Sequence, residues 1–148
     1  MLAATGCALL AVGAVATPAS AVDSLNCTGG GSLIGTGTDD LTNGKVTVQV
    51  CGFRAAHKVT DVRVDYEKSG GDCAQGLDFH WRWANDQGGV KNGDADDQGS
   101  FTECSGDDKF YEWHYGSAAV APISADAPDV VGTLSTPTST FVTQPVSW

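Results

Sequence analysis

The sequence predicts an all-β fold, a small disulfide-linked antiparallel β-sandwich or barrel. Apolar and polar residues alternate in KVTVQVC (45–51), VTDVRVDYE (59–67), LDFHWRWAN (77–85) and KFYEWHYGS (109–117). A period of two puts one set of side chains on each face of a strand, so each segment is expected to be half-buried. No window carries the 3.6-residue apolar period of a helix. Four cysteines follow the N-terminal leader, an even number that suits a disulfide framework in a small exported domain.

The leader is MLAATGCALLAVGAVATPASA, and it ends in Ala19-Ser20-Ala21. Its apolar, small-residue run and A-x-A ending are those of a secretory signal peptide, residues 1–21, although no Lys or Arg precedes the run. The run is short, Pro18 breaks it, and no basic stop-transfer segment follows. A secreted, extracellular protein with no membrane attachment after cleavage is therefore expected. Residues 22–148 have the length of one β domain with one modest core. All eight basic and all eighteen acidic residues fall there, giving a formal net charge of −10. Such a surface repels nucleic acid and anionic lipid, and leaves calcium, basic proteins and neutral ligands such as glycans as partners.

Residues 22–44 are rich in Gly, Thr, Asp and Asn and are expected to form a loop or a short edge strand. The next two segments supply strands with Val46, Val48 and Val50, then Val62, Val64 and Tyr66, on their inner faces. In 77–83, Leu77, Phe79, Trp81 and Trp83 alternate with Asp78, His80 and Arg82, the strongest strand signal in the chain. Residues 85–100 hold a Gly/Asp-rich stretch, read as an exposed loop between strands. FTEC (101–104) is a short strand. In the proline-containing C-terminal segment, Pro122 and Pro128 argue against a central strand. The tail TSTFVTQPVSW is expected to add a last edge strand interrupted by Pro145.

Cys27, Cys51, Cys73 and Cys104 allow three connectivities, of which the sequential Cys27–Cys51 and Cys73–Cys104 is expected. Each bridge would close a loop worth about 3–4 kcal/mol in the chain-entropy picture. No C-x-x-C occurs, so a zinc knuckle is not indicated.

Two tetrapeptides repeat one pattern: DFHW at 78–81 and EWHY at 112–115. If their strands pair, Asp78, His80, Glu112 and His114 meet on one polar face, with cross-strand Cβ atoms about 4.5–5.5 Å apart. The expected arrangement is aromatics inward (Phe79, Trp81, Trp83, Trp113, Tyr115) and this quartet outward. The quartet is the candidate binding face. Trp148 joins it either as an exposed platform for a sugar or as a lid on the core. The two histidines and two carboxylates are also candidates for a His–carboxylate acid–base pair or a zinc site.

DADDQGSFTECS (94–105) partly fits a calcium loop, with Asp94 and Asp96 at positions one and three and Gly99 at six. Gln98 stands at position five and Ser105 at twelve, where a bidentate Glu is needed, so only weak calcium binding by Asp94, Asp96 and Asp97 is expected. The absence of a nucleophile elbow, an H-E-x-x-H or a P-loop makes a non-enzymatic binding domain for carbohydrate, cell wall or protein the first expectation. The alternatives are a small hydrolase built on a His–carboxylate pair, or a proteinase inhibitor using the segment between Cys73 and Cys104.

Overall fold

The computed structural model describes residues 24–84, 101–121 and 129–148. Two four-stranded antiparallel sheets face each other. The first has the order β1 (Ser32–Leu41), β2 (Gly44–Phe53), β3 (Lys58–Lys68), β6 (Asp108–His114). The second has the order β5 (Phe101–Glu103), β4 (Ala74–Trp83), β7 (Val130–Ser135), β8 (Thr140–Val142). The architecture is the small disulfide-linked sandwich that the alternation predicts.

The inner faces are those read from the sequence. Val46, Val48, Val50, Val62, Val64, Leu77, Phe79 and Trp81 are fully buried, and Trp83, Trp113 and Tyr66 nearly so. Tyr115 packs on this cluster from its edge, and its hydroxyl accepts a hydrogen bond from Trp81 Nε1 at 2.9 Å. Burying six or more large side chains at about 1.5–3 kcal/mol each is the main force holding the sheets together. Their close approach depends on Gly132. A Cβ there would lie 2.8 Å from Val48 Cβ and 3.1 Å from Val64 Cγ2, so any side chain would push the sheets apart.

One expectation is sharpened and one, on the proline-containing segment, is corrected. Of the loop or short edge strand expected at 22–44, residues 32–41 form the edge strand, ten residues long. Its glycines serve close packing, not turning: the carbonyl of Gln144 in the C-terminal tail presses on Gly37, and Gln144 N donates to Thr38 O at 3.0 Å. Val130–Ser135 is a central strand, flanked by β4 and β8. It begins two residues after Pro128, so the proline precedes the ladder without interrupting it. The tail adds β8, and an isolated bridge from Val146 to Val130 then closes one edge of the sandwich. Trp148 is a lid: its indole meets Trp83 at 6.0 Å between ring centroids and rests on Gly52.

The disulfides are Cys27–Cys51 and Cys73–Cys104. The second ties the start of β4 to the end of β5, and next to it Glu103 points inward. Glu103 is fully buried, and neither carboxylate oxygen has a hydrogen-bond partner among the described residues. Burial, reinforced by the charge of Asp108, pushes its carboxyl up to about 8. Asp65 is raised to about 6 by burial and by Asp108, against the pull of Arg63.

A folded-state pKa above the unfolded value means that the native protein holds a proton that the unfolded chain releases. Stability is then fully present below the ordinary carboxyl pKa, 4.5 for Glu103, and declines as pH rises towards 8. Denaturant titrations of wild type and Glu103→Gln at pH 5 and pH 8 check this. Wild type is expected to lose at least about 1.4 kcal/mol, one pKa unit, over that interval. The variant, having nothing to ionise there, is expected to lose less. Equal losses would show that Glu103 does not titrate in this range.

Candidate functional site

The polar face of the first sheet is not an ordinary solvated surface. β3 lies between β2 and β6, and its outward residues Asp61, Arg63 and Asp65 are buried at 0%, 3% and 1% exposure. Two covers exclude water. The Phe110 ring lies over the Arg63 guanidinium, 3.6 Å from Cζ to the ring centroid, a cation–π stack. The other cover is the N-terminal strap, residues 25–31, which runs across the outer face. Leu25 N donates to Gln49 Oε1 on β2 at 2.8 Å. Cys27 is bonded to Cys51 at the end of that strand, and Thr28 and Gly29 then sit over Asp61.

Asp61 is thereby fixed on three sides. Thr28 Oγ1 donates to Oδ1 at 2.7 Å, the Gly29 amide donates to Oδ2 at 3.1 Å, and His114 Nδ1 contacts Oδ1 at 2.8 Å. A Cβ on Gly29 would stand 2.6 Å from Thr60 Cβ, so the amide reaches Asp61 because glycine lets the strap lie flat on β3. On the far side, His114 Nε2 meets Glu112 Oε2 at 3.2 Å, and Glu112 Oε1 accepts from Arg63 Nη1 at 3.2 Å. Arg63 Nη2 then reaches Asp65 Oδ2 at 3.2 Å. The result is one continuous chain: Thr28, Asp61, His114, Glu112, Arg63, Asp65. Register explains it, because Asp61 lies opposite His114 and Arg63 opposite Glu112 in the β3–β6 ladder.

Both ring nitrogens of His114 face carboxylates, which accept only, so the imidazolium with two N–H donors satisfies the site best. The hydrogen bond to Asp61 raises the His114 pKa, more strongly than burial lowers it. Burial alone would raise Asp61, but the hydrogen bonds from His114, Thr28 and Gly29 outweigh it and hold the carboxyl below its usual value. The His114 side chain remains 42% exposed, and that of Glu112 27%. A proton held on His114 is thus accessible from solvent, while its carboxylate anchor is not.

The quartet of sequence candidates is divided. Glu112 and His114 belong to this chain of contacts. Asp78 and His80 lie on β4, opposite Ser135 and Thr133 of β7, in the other sheet. Because the aromatics of both tetrapeptides point inward, the two polar faces are on opposite outsides of the sandwich. The condition for their meeting, that the two strands pair, is not met: β6 pairs with β3, and β4 with β5 and β7. Asp61, Thr28, Gly29 and Arg63 were not anticipated. The available signal was the acid-basic-acid alternation of Asp61, Arg63 and Asp65, which looks the same on a solvated strand.

Asp94, Asp96 and Asp97, the calcium candidates, lie outside the described residues. Among the described residues, no three His, Cys, Asp or Glu side chains converge as a metal site would require. No helix among them is long and apolar enough to cross a membrane. Comparison with known protein families, curated proteins and solved structures found no match.

The pair has a signed effect on stability. The His114 contribution is present below the ordinary value of 6.5 and is lost as pH rises through the raised folded pKa. The Asp61 contribution is present above 3.8 and is lost as pH falls through the lowered one. Thermal melts of His114→Gln against wild type should therefore differ most between those two values, and the difference should shrink as pH rises through the raised His114 pKa. Removing the partner of buried Asp61 is expected to cost about 1–3 kcal/mol at pH 5.5. A difference independent of pH would show that the contact is not an ion pair.

Proposed function

We propose that the protein is a small secreted hydrolase whose acid–base centre is His114 with Asp61 and Glu112. The observation that carries this reading is the 2.8 Å contact between a wholly buried carboxylate and a solvent-accessible imidazole. Asp61 fixes the ring through Nδ1 and favours the protonated form, so Nε2–H is presented as a general acid. Glu112, reaching the same nitrogen, is the natural general base. In the reaction, water would add its hydroxyl to the electrophilic centre and give its proton to Glu112. His114 would protonate the departing group. The 3.2 Å contact between Glu112 and Nε2 then offers a route for the proton to return from Glu112 to the ring. Arg63, hydrogen-bonded to the other oxygen of Glu112, positions that carboxylate. The net charge of −10 favours neutral or cationic substrates over polyanions.

A second reading, an extracellular binding domain for glycan, cell wall or protein, is favoured by one observation. His114 and Glu112 stand on a sheet face, and the described cleft, whose lining includes neither, is elsewhere. The inhibitor alternative has no such support, since β4 occupies 74–83 and residues 85–100 lie outside the described ones.

The two readings separate in a hydrolysis screen of the mature protein against chromogenic esters, glycosides and peptides between pH 4 and 9. For a substrate that is turned over, His114→Gln is expected to lower kcat about 10²–10⁴-fold. Wild-type activity is expected to fall as pH rises through the elevated His114 pKa. Absence of turnover across the panel, or full activity in His114→Gln, would overturn the hydrolase in favour of the binding domain.

A further inference from the structure

A second polar centre lies at the opposite end of β3, away from His114. Lys68 is seven residues from Asp61 along the strand, roughly 23 Å at the usual rise per residue. There a cleft of about 470 Å³ opens between the β1–β2 turn, which contributes Asn43, and the β7–β8 hairpin, which contributes Thr138 and Ser139. Tyr66 and Phe141 supply aromatic surface. Lys68 lines it as well, although its residue is only 4% exposed. Its ammonium donates to the Gly70 carbonyl and has no carboxylate partner among the described residues. A buried ammonium has three donors and is costly to leave under-satisfied.

We propose that this cleft binds a neutral carbohydrate, a mono- or disaccharide unit. Its volume falls in the range of small-ligand sites. The residues that line it include Lys68, Asn43, Thr138, Ser139 and Asp40, types that carry hydrogen-bond donors and acceptors intermixed. A polyol presents the same mixture, together with C–H faces that pack on aromatic rings. A cationic ligand would be opposed by Lys68. An anionic one would be opposed by Asp40 and by the net charge of −10. A neutral polyhydroxylated molecule meets neither objection, and its hydroxyl oxygens can accept the remaining Lys68 N–H groups. The inference is independent of catalysis at His114.

The test is NMR titration of the ¹⁵N-labelled protein with maltose, cellobiose and N,N′-diacetylchitobiose, and with sodium glucuronate as the anionic arm. At least one neutral disaccharide is expected to give saturable shifts centred on residues 41–43, 66–68 and 138–141, with a dissociation constant on the order of 1 mM. Asn43→Ala and Thr138→Ala, both at exposed turn positions, are expected to weaken it about fivefold, as the loss of one net hydrogen bond does. Their amide spectra should stay dispersed, which separates lost binding from lost folding, and His114→Gln should bind as wild type does. Saturation by none of the three sugars, shifts centred elsewhere, unchanged affinity in both folded variants, or tighter binding of glucuronate than of any neutral sugar would each overturn the proposal.

Discussion

The burial of Asp61 is the constraint around which the first sheet is organised. A carboxylate removed from water is tolerated only where hydrogen bonds and opposite charge replace its hydration. Here two of the three replacements, the Thr28 hydroxyl and the Gly29 amide, come from a strap with no ladder partner of its own. The strap is held in place by a disulfide to the end of β2 and by a hydrogen bond from the Leu25 amide to the Gln49 side chain. The Cys27–Cys51 bridge therefore does more than shorten the unfolded chain. It keeps two donors over a charge that the third, His114, would otherwise have to neutralise alone. His114 in turn is oriented because Asp61 cannot move.

The same logic runs along β3 and changes sign at its far end. Arg63 is buried and shared between two carboxylates under an aromatic lid, so the charges beside it are largely compensated. Glu103 has no such partner, and its proton takes the place of a counter-ion. An imidazolium that wants its proton and a carboxyl that keeps its own favour the same condition, mildly acidic solution. Asp61 opposes them only at lower pH. The His114–Asp61 pair and Glu103 thus set one pH preference for different reasons: the hydrogen bond to Asp61 favours the proton on His114, and burial favours the proton on Glu103.

Much of the fold was legible in the sequence because alternation is a local property. Val46 to Val50, Val62 to Tyr66 and Leu77 to Trp83 announce their inner faces without knowledge of their neighbours. The sequential pairing of the cysteines was anticipated as well. What could not be read is what depends on partners distant in the chain. DFHW and EWHY have the same pattern, yet similarity of pattern carries no information about which ladder a strand joins. Gly37 and Gly132 look like breakers, and become packing residues only when Gln144 and Val48 are brought against them. Asp61, Arg63 and Asp65 match the solvated half of an exposed strand. Their burial is produced by Thr28, Gly29 and Phe110, none of which is adjacent in sequence. The candidate site was accordingly half visible: Glu112 and His114 stood out, whereas the residues that give them chemical character did not.

That division bears on what each half contributes. An exposed histidine beside a glutamate on a strand is a common surface feature with a small effect on stability, of the order expected for exposed ion pairs. Asp61 changes its standing. With Asp61 fixed from three sides, rotation of the imidazole breaks its hydrogen bond to a buried carboxylate, so one orientation is favoured in either protonation state. A proton on Nε2 is then presented in a constant direction, at a site where the dielectric falls from solvent on one side of the ring to protein on the other. Preorganisation of this kind is what distinguishes an acid–base group from a surface charge. It originates here in a strap, a disulfide and a glycine rather than in the histidine itself.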